Sequence, residues 1–360
     1  MNEKVCIVMG TRPEFIKLSL LTKLFNKNFK DDFFWIHTGQ HFSEELYENQ
    51  IKSLSLPLPK YNLGISGSSD YEQIGRLITS ISTILEREKV KTLIVASGTN
   101  SSISAVIAAK KTNVPTIVSV ESGMRTDEKD LPENDNRAVI DQLSDYLFCP
   151  TEEDKNNLLH KCLERVHQTR ITVTGSTSID VCKALDEKQL IPTNKEEEYI
   201  LLTLHRQGNV DNQKNLGMII NQVTILAISM ETQVLFPCHP RTLKKLQAFK
   251  IKLPKIITVM KPQQLVEFLT LQKNTKLIIT DSITVPVEAN YFKTPCLVLR
   301  KSIEHTLPLK ENVALVRKNA DIVKIAKELL TKDKTSWTGT LYGTGDATKK
   351  IYKFLTEEKR

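Results

Sequence analysis

The sequence lacks the signatures of a secreted, disulfide-bonded or membrane-spanning protein. No stretch of the 360 residues reaches the roughly 18 uncharged apolar residues of a membrane span, and no signal-peptide pattern precedes the first strand candidate. None of the six cysteines forms a CxxC pair, and most lie in apolar runs, which predicts buried, reduced thiols. We therefore expect a cytoplasmic protein without membrane insertion.

Motifs for the common cofactors are also missing. No GxGxxG follows a predicted strand, so a tightly bound dinucleotide is not expected, and the absence of GxxxxGK(S/T) excludes a P-loop enzyme. No residues have the spacing of metal ligands. The net charge is +8, but the lysines are scattered without an Arg/Lys stripe and interleaved aromatics, so nucleic acid is not an expected partner.

Apolar runs alternate with segments of helical periodicity along nearly the whole chain. The predicted strands are "VCIVM", "FFWIHT", "TLIVAS", "PTIVSV", "YLFCP" and "ITVTG", then "YILLTLH", "QVLFPCH", "KIITVM", "KLIITDS", "PCLVLR" and "VALVRK". Strands that are apolar throughout are buried on both faces, as in a parallel sheet covered by helices. The pattern predicts an α/β protein with two doubly wound sheets.

A polar segment that contains Pro192 and a charge run, residues 186–198, is interpreted as a linker. It separates a first domain, residues 1–185, from a second domain, residues 199–340. The periodicity of the last helix, within residues 341–360, fits either domain. Ligands bind at the carboxyl ends of parallel strands, so we expect the site in a cleft between the two domains.

The motif "GTRPE" follows the first predicted strand. Gly10 allows a tight turn, Pro13 suits the start of a helix, and the helix start presents backbone N–H groups. An anion is stabilised at such a position, and Arg12 and Lys17 add positive charge. A helix cap with a surface Arg is the alternative, but we favour anion binding because the turn does not need Arg12.

Three further strand ends in the first half carry polar residues. "HTGQH" supplies Gln40 and His41, which can bond a sugar or phosphate, although a polar loop is equally consistent. "SGTNSS" is interpreted as a helix cap rather than an anion site. "ESGMRTDEKDLPENDNR" contains Glu121, Glu133 and Arg137, which form either an acid–base pair beside an anion clamp or solvated loop charges.

The second half repeats this arrangement. "TLHRQGN" puts His205 and Arg206 at one strand end, and "FPCHP" puts His239 at the next. A lone His is more often structural, but two at consecutive strand ends favour function. "TDSITVPVEA" places Ser282 where a phosphate could bind at a helix start, with Glu288 one or two turns further on, where it could bond a ribose.

Ten motifs in order carry a resemblance to a known family: "GTRPEFIK", "TGQH", "VESGMRT", "LPENDNR", "LFCPTEEDKNNLL", "ITVTGSTSID", "LTLHRQGNVDN", "FPCHPRT", "LIITDS" and "YGTGDATKKIYKFL". The chain resembles the non-hydrolysing UDP-N-acetylglucosamine 2-epimerases over essentially its whole length. The resemblance implies two Rossmann-like domains in a GT-B-like arrangement, a C-terminal helix, residues 341–360, that packs on the first domain, and a homodimer. It also implies a UDP-sugar ligand and supply of an activated sugar for a surface polysaccharide or glycolipid.

Enzymes of this family eliminate UDP to give a 2-acetamidoglucal and then add UDP back with the opposite configuration at C2. The resemblance implies that Glu121 and Glu133 handle protons, that His205 supports the leaving group, and that Arg137 positions Glu133. The diphosphate contacts implied are Arg12, His205, Arg206 and Ser282. The resemblance further assigns the ribose to Glu288 and the uracil to Phe268, and it places Gln40, His41 and His239 near the sugar or at a regulatory UDP-sugar site.

The sequence departs from the family pattern at several of these motifs. The family's "GDT" carries a catalytic Asp, whereas "ASGTNSS" has Gly98 or Thr99 there, depending on the alignment. Gly208 replaces a Glu, and Ile283 and Thr284 replace two glycines. These losses keep three alternatives open: a hydrolysing epimerase, a sugar transferase on the same scaffold, and a catalytically inactive UDP-sugar-binding protein.

Overall fold

The computed structural model describes residues 3–40, 44–67, 69–126, 131–161, 170–194, 198–304, 307–318 and 320–358. The chain forms two compact units, one from Met1–Lys183 with Gly343–Arg360 and the other from Ala184–Tyr342. Each unit contains one parallel sheet with helices, which confirms the predicted α/β class. No helix in the described part of the chain is long and apolar enough to cross a membrane.

The first unit contains a seven-stranded parallel sheet. Its strands are β1 (Val5–Met9), β2 (Phe33–His37), β3 (Tyr61–Asn62), β4 (Thr92–Ala96), β5 (Thr116–Val120), β6 (Tyr146–Cys149) and β7 (Ile171–Val173). The helices between them are α1 (Arg12–Phe29), α2 (Glu44–Leu54), α3 (Asp70–Glu88), α4 (Asn100–Lys111), α5 (Pro132–Leu143), α6 (Glu152–Lys161) and α7 (Thr177–Glu187). The strand order is β3-β2-β1-β4-β5-β6-β7.

The second unit contains a six-stranded sheet in the order β10-β9-β8-β11-β12-β13. Its strands are β8 (Tyr199–Thr203), β9 (Gln233–Pro237), β10 (Ile257–Met260), β11 (Leu277–Thr280), β12 (Cys296–Leu299) and β13 (Val313–Val316). Its helices are α8 (Gln207–Val210), α9 (Gln213–Ser229), α10 (Pro240–Ala248), α11 (Leu265–Asn274), α12 (Val285–Phe292) and α13 (Ile322–Leu330).

Continuous apolar runs explain why these strands are central. All five residues of β1 and of β4 are buried, because helices cover both faces of the sheet. The five cysteines in the described residues are buried free thiols, as the sequence predicts. Cys162 lies outside the described residues.

The strand orders determine where ligands can bind. In the first unit the chain winds outward in opposite directions from the adjacent strands β1 and β4, and in the second from β8 and β11. A crevice forms at the carboxyl ends of such a strand pair, where the flanking helices diverge. "GTRPE" follows β1, "SGTNSS" follows β4, "HR" follows β8 and "DS" follows β11, so the predicted motifs lie at these two switch points.

The C-terminal helix α14 (Ala347–Lys353) belongs to the first unit. The buried carboxylate of Asp180 accepts hydrogen bonds from the backbone N–H groups of Ala347 and Thr348, at 3.1 and 2.5 Å. Tyr352 packs edge-on against Phe25 of α1, with ring centroids 5.2 Å apart. The helix is therefore fixed at its start by a carboxylate cap and along its length by aromatic packing.

We predict that Gly343→Ala destabilises the first unit by about 1–3 kcal/mol. Gly343 has a φ of +98°, and an added Cβ would lie 2.9 Å from the Cα of Gly175. Gly75→Ala is the control, because Gly75 lies inside α3 with open space around its Cβ position and Ala is the better helix former. Urea denaturation checks both, and equal midpoints for Gly343→Ala and wild type would contradict the close approach.

Candidate functional site

The start of α1 is organised by the side chain of Glu14. The buried Glu14 carboxylate accepts hydrogen bonds from the backbone N–H groups of Gly10 (2.8 Å) and Thr11 (2.9 Å). These two amides precede Arg12, the first residue of the helix, so anion binding by the first N–H groups of α1 stays a prediction. The half-buried Arg12 is the cationic group at this helix start.

Gly10 is required for space rather than for a turn. Its backbone is not in the left-handed region, but an added Cβ would overlap the hydroxyl oxygens of Thr38 and Ser101. These two hydroxyls bond each other at 2.7 Å, and both lie beside the position that a Cβ of residue 10 would occupy. The ends of β1 and β2 and the start of α4 can approach this closely only because residue 10 has no side chain.

The "SGTNSS" segment caps α4, as predicted. The Thr99 hydroxyl accepts the Ser102 N–H at 3.0 Å, and the side-chain oxygen of Gln40 accepts the Ser101 N–H at 3.0 Å. Protein acceptors therefore bond these two N–H groups of the helix start. Gln40 braces α4 in this structure, and His41 lies outside the described residues.

The two positions at which the family's Asp would fall both disfavour a carboxylate. Gly98 has a φ of +119°, where an L side chain is strained, and an added Cβ would lie 3.3 Å from the Nε of Arg137. The Thr99 hydroxyl donates to Oε1 of Glu14 at 2.5 Å, a bond that an ionised Asp cannot make. Position 98 therefore has no side chain, and position 99 has a hydroxyl that is already bonded to Glu14.

Glu121 is buried at the end of β5, with a φ of +60°. One carboxylate oxygen accepts from the Ser176 hydroxyl (2.6 Å) and the Thr177 N–H (2.9 Å), and the other lies 3.3 Å from the Nζ of Lys17. The side chain thus anchors the start of α7 and neutralises Lys17. These contacts favour a positioning role for Glu121 and leave Lys17 paired with it.

Glu133 and Arg137 lie one turn apart on α5, which places them on the same face of the helix. Glu133 is exposed in the first turn, and no hydrogen bond or ion pair within the described ranges involves it. Arg137 is 2% exposed. Glu133 is therefore the accessible carboxylate of the predicted pair, whereas Glu121 is enclosed by donors.

In the second unit, His205 and Arg206 follow β8 and contact Asp281, which follows β11. The Nδ1 of His205 lies 3.0 Å from Oδ1 of Asp281. The Nε of Arg206 donates to the backbone carbonyl of Asp281 at 3.0 Å. His239 caps α10 through its Nδ1, and its ring centroid lies 6.3 Å from that of His205. The two histidines predicted at consecutive strand ends are therefore neighbours.

Ser282 begins the loop before α12. Its hydroxyl lies 3.1 Å from that of Thr284, and its N–H donates to the Thr280 hydroxyl at 3.0 Å. Ser282 and Ile283 line a small cleft that also contacts the ion pair of Arg300 and Glu304. Both side chains are buried, and a guanidinium nitrogen of Arg300 lies 2.7 Å from a carboxylate oxygen of Glu304. The two opposite charges that line the cleft therefore offset each other.

The remaining two predicted residues are both part of the second unit's interior. The buried Glu288 carboxylate accepts a hydrogen bond from Gln272 at 2.6 Å. Phe268 is half-buried on α11 and packs against the apolar cluster beneath the sheet. Neither contact involves the other predicted residues of this unit, so the structure alone does not join Glu288 and Phe268 to His205.

Two carboxylates that hold strand ends, Glu14 in the first unit and Asp281 in the second, were not among the predicted residues. Both lie inside quoted motifs, "GTRPE" and "LIITDS". The detectable signal was an acidic residue directly at a strand end or in the first helical turn, where backbone N–H groups need an acceptor.

Comparisons with known proteins agree with the geometry. The family model described as UDP-N-acetylglucosamine 2-epimerase matches residues 26–356. The UDP-N-acetylglucosamine 2-epimerase of Methanocaldococcus jannaschii is 35% identical, over 99% of this chain and 100% of that protein. The UDP-2,3-diacetamido-2,3-dideoxy-D-glucuronate 2-epimerase of Pseudomonas aeruginosa is 32% identical, over 98% and 99%. A crystal structure of the M. jannaschii UDP-GlcNAc 2-epimerase with UDP-GlcNAc and UDP matches with a TM-score of 0.88 and 35% identity, over 98% of this chain and 99% of that chain.

We predict that Thr99→Asp destabilises the protein at pH 7 by about 2 kcal/mol, because a second carboxylate beside Glu14 replaces a donor with an acceptor. The loss should shrink at acid pH, where the two carboxyl groups can share a proton. Thr99→Ser keeps the hydroxyl and is expected to behave like wild type. Urea denaturation at pH 7 and pH 5 measures both, and wild-type stability of Thr99→Asp at pH 7 would show that Glu14 does not need this donor.

Proposed function

The chain belongs to the UDP-N-acetylglucosamine 2-epimerase family, and from that premise we propose that it interconverts UDP-N-acetylglucosamine and UDP-N-acetylmannosamine. The reaction eliminates UDP to a 2-acetamidoglucal and adds it back. The observation that carries the proposal is the group of His205, Arg206 and Ser282 at the ends of two neighbouring strands, at the switch point of the second sheet. The M. jannaschii relative, described with UDP-GlcNAc and UDP bound, supports the substrate class.

The proposal assigns the leaving diphosphate to cationic and hydroxyl side chains. Breaking the C1–O bond builds negative charge on the diphosphate, and preorganised donors stabilise that charge. Arg206 is held by the Asp281 carbonyl, His205 by the Asp281 carboxylate, and Ser282 by Thr280. Arg12, at the start of α1, supplies a further guanidinium that suits a phosphate.

Removal of the C2 proton is assigned to Glu133. A general base needs an ionised carboxylate that substrate can reach, and Glu133 is the exposed member of the predicted pair. Arg137, one turn along α5, is proposed to orient it, and Glu121 is proposed to hold Lys17 and the start of α7 rather than to exchange the proton.

The residues that bind the nucleoside, and those that form a second ligand site, are proposed from family membership. Glu288 is assigned to the ribose, which requires it to share its carboxylate with Gln272. Phe268 is assigned to the uracil. Gln40, His41 and His239 are assigned to the sugar or to a regulatory UDP-sugar site.

The proposal further places the protein in the cytoplasm as a homodimer, as the family resemblance implies. Light scattering of the purified chain tests the oligomeric state, for which a mass of one 40.9 kDa chain would contradict the dimer.

The residues that differ from the family pattern affect above all which hexosamine the enzyme accepts. Gly98, Ile283 and Thr284 differ from the family pattern, and the 32% identical Pseudomonas relative is named for a diacetamido uronate. A different substituent on the sugar, or release of the free sugar, would accommodate such changes. The assay below therefore follows both substrates and all products.

Proton NMR in D₂O tests the proposal with UDP-GlcNAc and with UDP-2,3-diacetamido-2,3-dideoxy-D-glucuronate in parallel. Epimerisation predicts the 2-epimer of one substrate together with deuterium at C2, because the proton is lost to solvent between elimination and re-addition. Free N-acetylmannosamine with UDP would establish the hydrolysing alternative. Binding of UDP without any turnover of either substrate would overturn the proposed reaction.

We predict that Glu133→Gln lowers kcat by about 10²–10⁴ while the affinity for UDP stays unchanged, because only proton transfer is removed. Asp135→Asn is the control, since Asp135 is exposed on the same helix and has no assigned role. Initial rates and calorimetry with UDP measure the two quantities. Near-normal turnover by Glu133→Gln would make Glu133 an ordinary surface carboxylate.

A further inference from the structure

Asp281 is a fully buried carboxylate at the end of β11, and the reaction described above gives it no chemical step. It accepts hydrogen bonds from the backbone N–H groups of His205 (3.1 Å) and Arg206 (2.9 Å) and from Nδ2 of Asn209 (3.1 Å), in addition to the contact with Nδ1 of His205. A buried carboxylate remains ionised only when donors replace its hydration. Burial alone raises the pKa of Asp281, but the hydrogen bonds and charge of His205, the Arg206 N–H and Asn209 bring that pKa below its usual value.

The orientation of the His205 ring follows from this carboxylate. An ionised Asp281 can only accept, so Nδ1 of His205, at 3.0 Å, carries the proton of that bond. The other ring nitrogen, Nε2, lies on the opposite edge of the imidazole. The His205 side chain is 45% exposed, whereas Asp281 is 0% exposed, so a ligand can reach the ring but not the carboxylate.

We propose that Asp281 is a positioning residue for the leaving group: it fixes the tautomer and direction of His205 so that Nε2 meets the departing diphosphate oxygen. The inference rests on the proposed function. In the elimination, the C2 proton passes to the general base, the C2–H electron pair forms the C1=C2 double bond, and the C1–O pair leaves on the β-phosphate oxygen. When the ring carries both protons, Nε2 donates a hydrogen bond to that oxygen while Nδ1 donates to Asp281.

A purely structural role for Asp281 is the competing explanation, since the same carboxylate also bonds Arg206 and Asn209 at the start of α8. The two explanations differ in whether Asp281 acts through His205. Loss of a structural anchor should lower activity whatever residue stands at position 205. Loss of a positioning residue should matter only while the imidazole is present.

A double-mutant cycle separates these cases. We expect His205→Gln and Asp281→Asn each to lower kcat at least tenfold with a smaller change in KM, and the double variant to be no slower than His205→Gln alone. Thr242→Val is the matched control, because the buried Thr242 hydroxyl bonds the Leu204 carbonyl at the same strand end (2.6 Å) without touching Asp281. Its effect, if any, should multiply with that of His205→Gln. A multiplicative effect of Asp281→Asn would overturn the inference.

The ring nitrogens of His205 in the wild-type protein provide a second test, which needs neither a folded Asp281 variant nor activity. We expect ¹⁵N NMR to show a protonated Nδ1 both in the neutral ring and in the presence of UDP. A neutral ring protonated only on Nε2 would overturn the inference. If the wild type turns over neither sugar nucleotide, the proposed reaction fails on its own assay, while the NMR result still decides whether Asp281 sets the tautomer.

Discussion

A carboxylate that leaves water stays ionised only when hydrogen-bond donors replace its hydration, and this constraint governs the strand ends of both units. Glu14, Glu121 and Asp281 are all buried, and each gathers N–H or O–H donors from the segments around it. The loops after the strands are therefore held by charge-assisted hydrogen bonds as well as by apolar packing. This bonding holds Lys17 against Glu121 and His205 against Asp281, so these carboxylates shape their surroundings even where they do not react.

The sheets could be predicted from the sequence because their strands are continuous apolar runs, and all twelve predicted segments contain a strand. β3 could not be predicted, because one half-buried and one exposed residue at a sheet edge produce no apolar run. The order of the motifs in the sequence predicted that His205, Arg206 and Ser282 lie at strand ends. It could not predict which residue each side chain contacts. That Glu121 contacts Ser176 and Thr177, 55 and 56 residues further along the chain, depends on packing that periodicity does not encode.

The threonine at position 99 suits its surroundings at the start of α4. A threonine hydroxyl can accept from one group while donating to another, and Thr99 does both, toward Ser102 and Glu14. An ionised Asp at position 99 could cap the helix but could not donate a hydrogen bond to Glu14. Thr99 therefore supplies both hydrogen bonds without adding a negative charge beside Glu14.

The return of the C-terminal segment to the first unit has a consequence for synthesis of the chain. Because residues 343–358 complete that unit, the second unit is an insertion within it, entered after Lys183 and left after Tyr342. The inserted unit is continuous in sequence and can fold as soon as it has left the ribosome. The unit that is made first is finished last: the carboxylate of Asp180 has no helix to cap until Ala347, 167 residues further along the chain, has been translated.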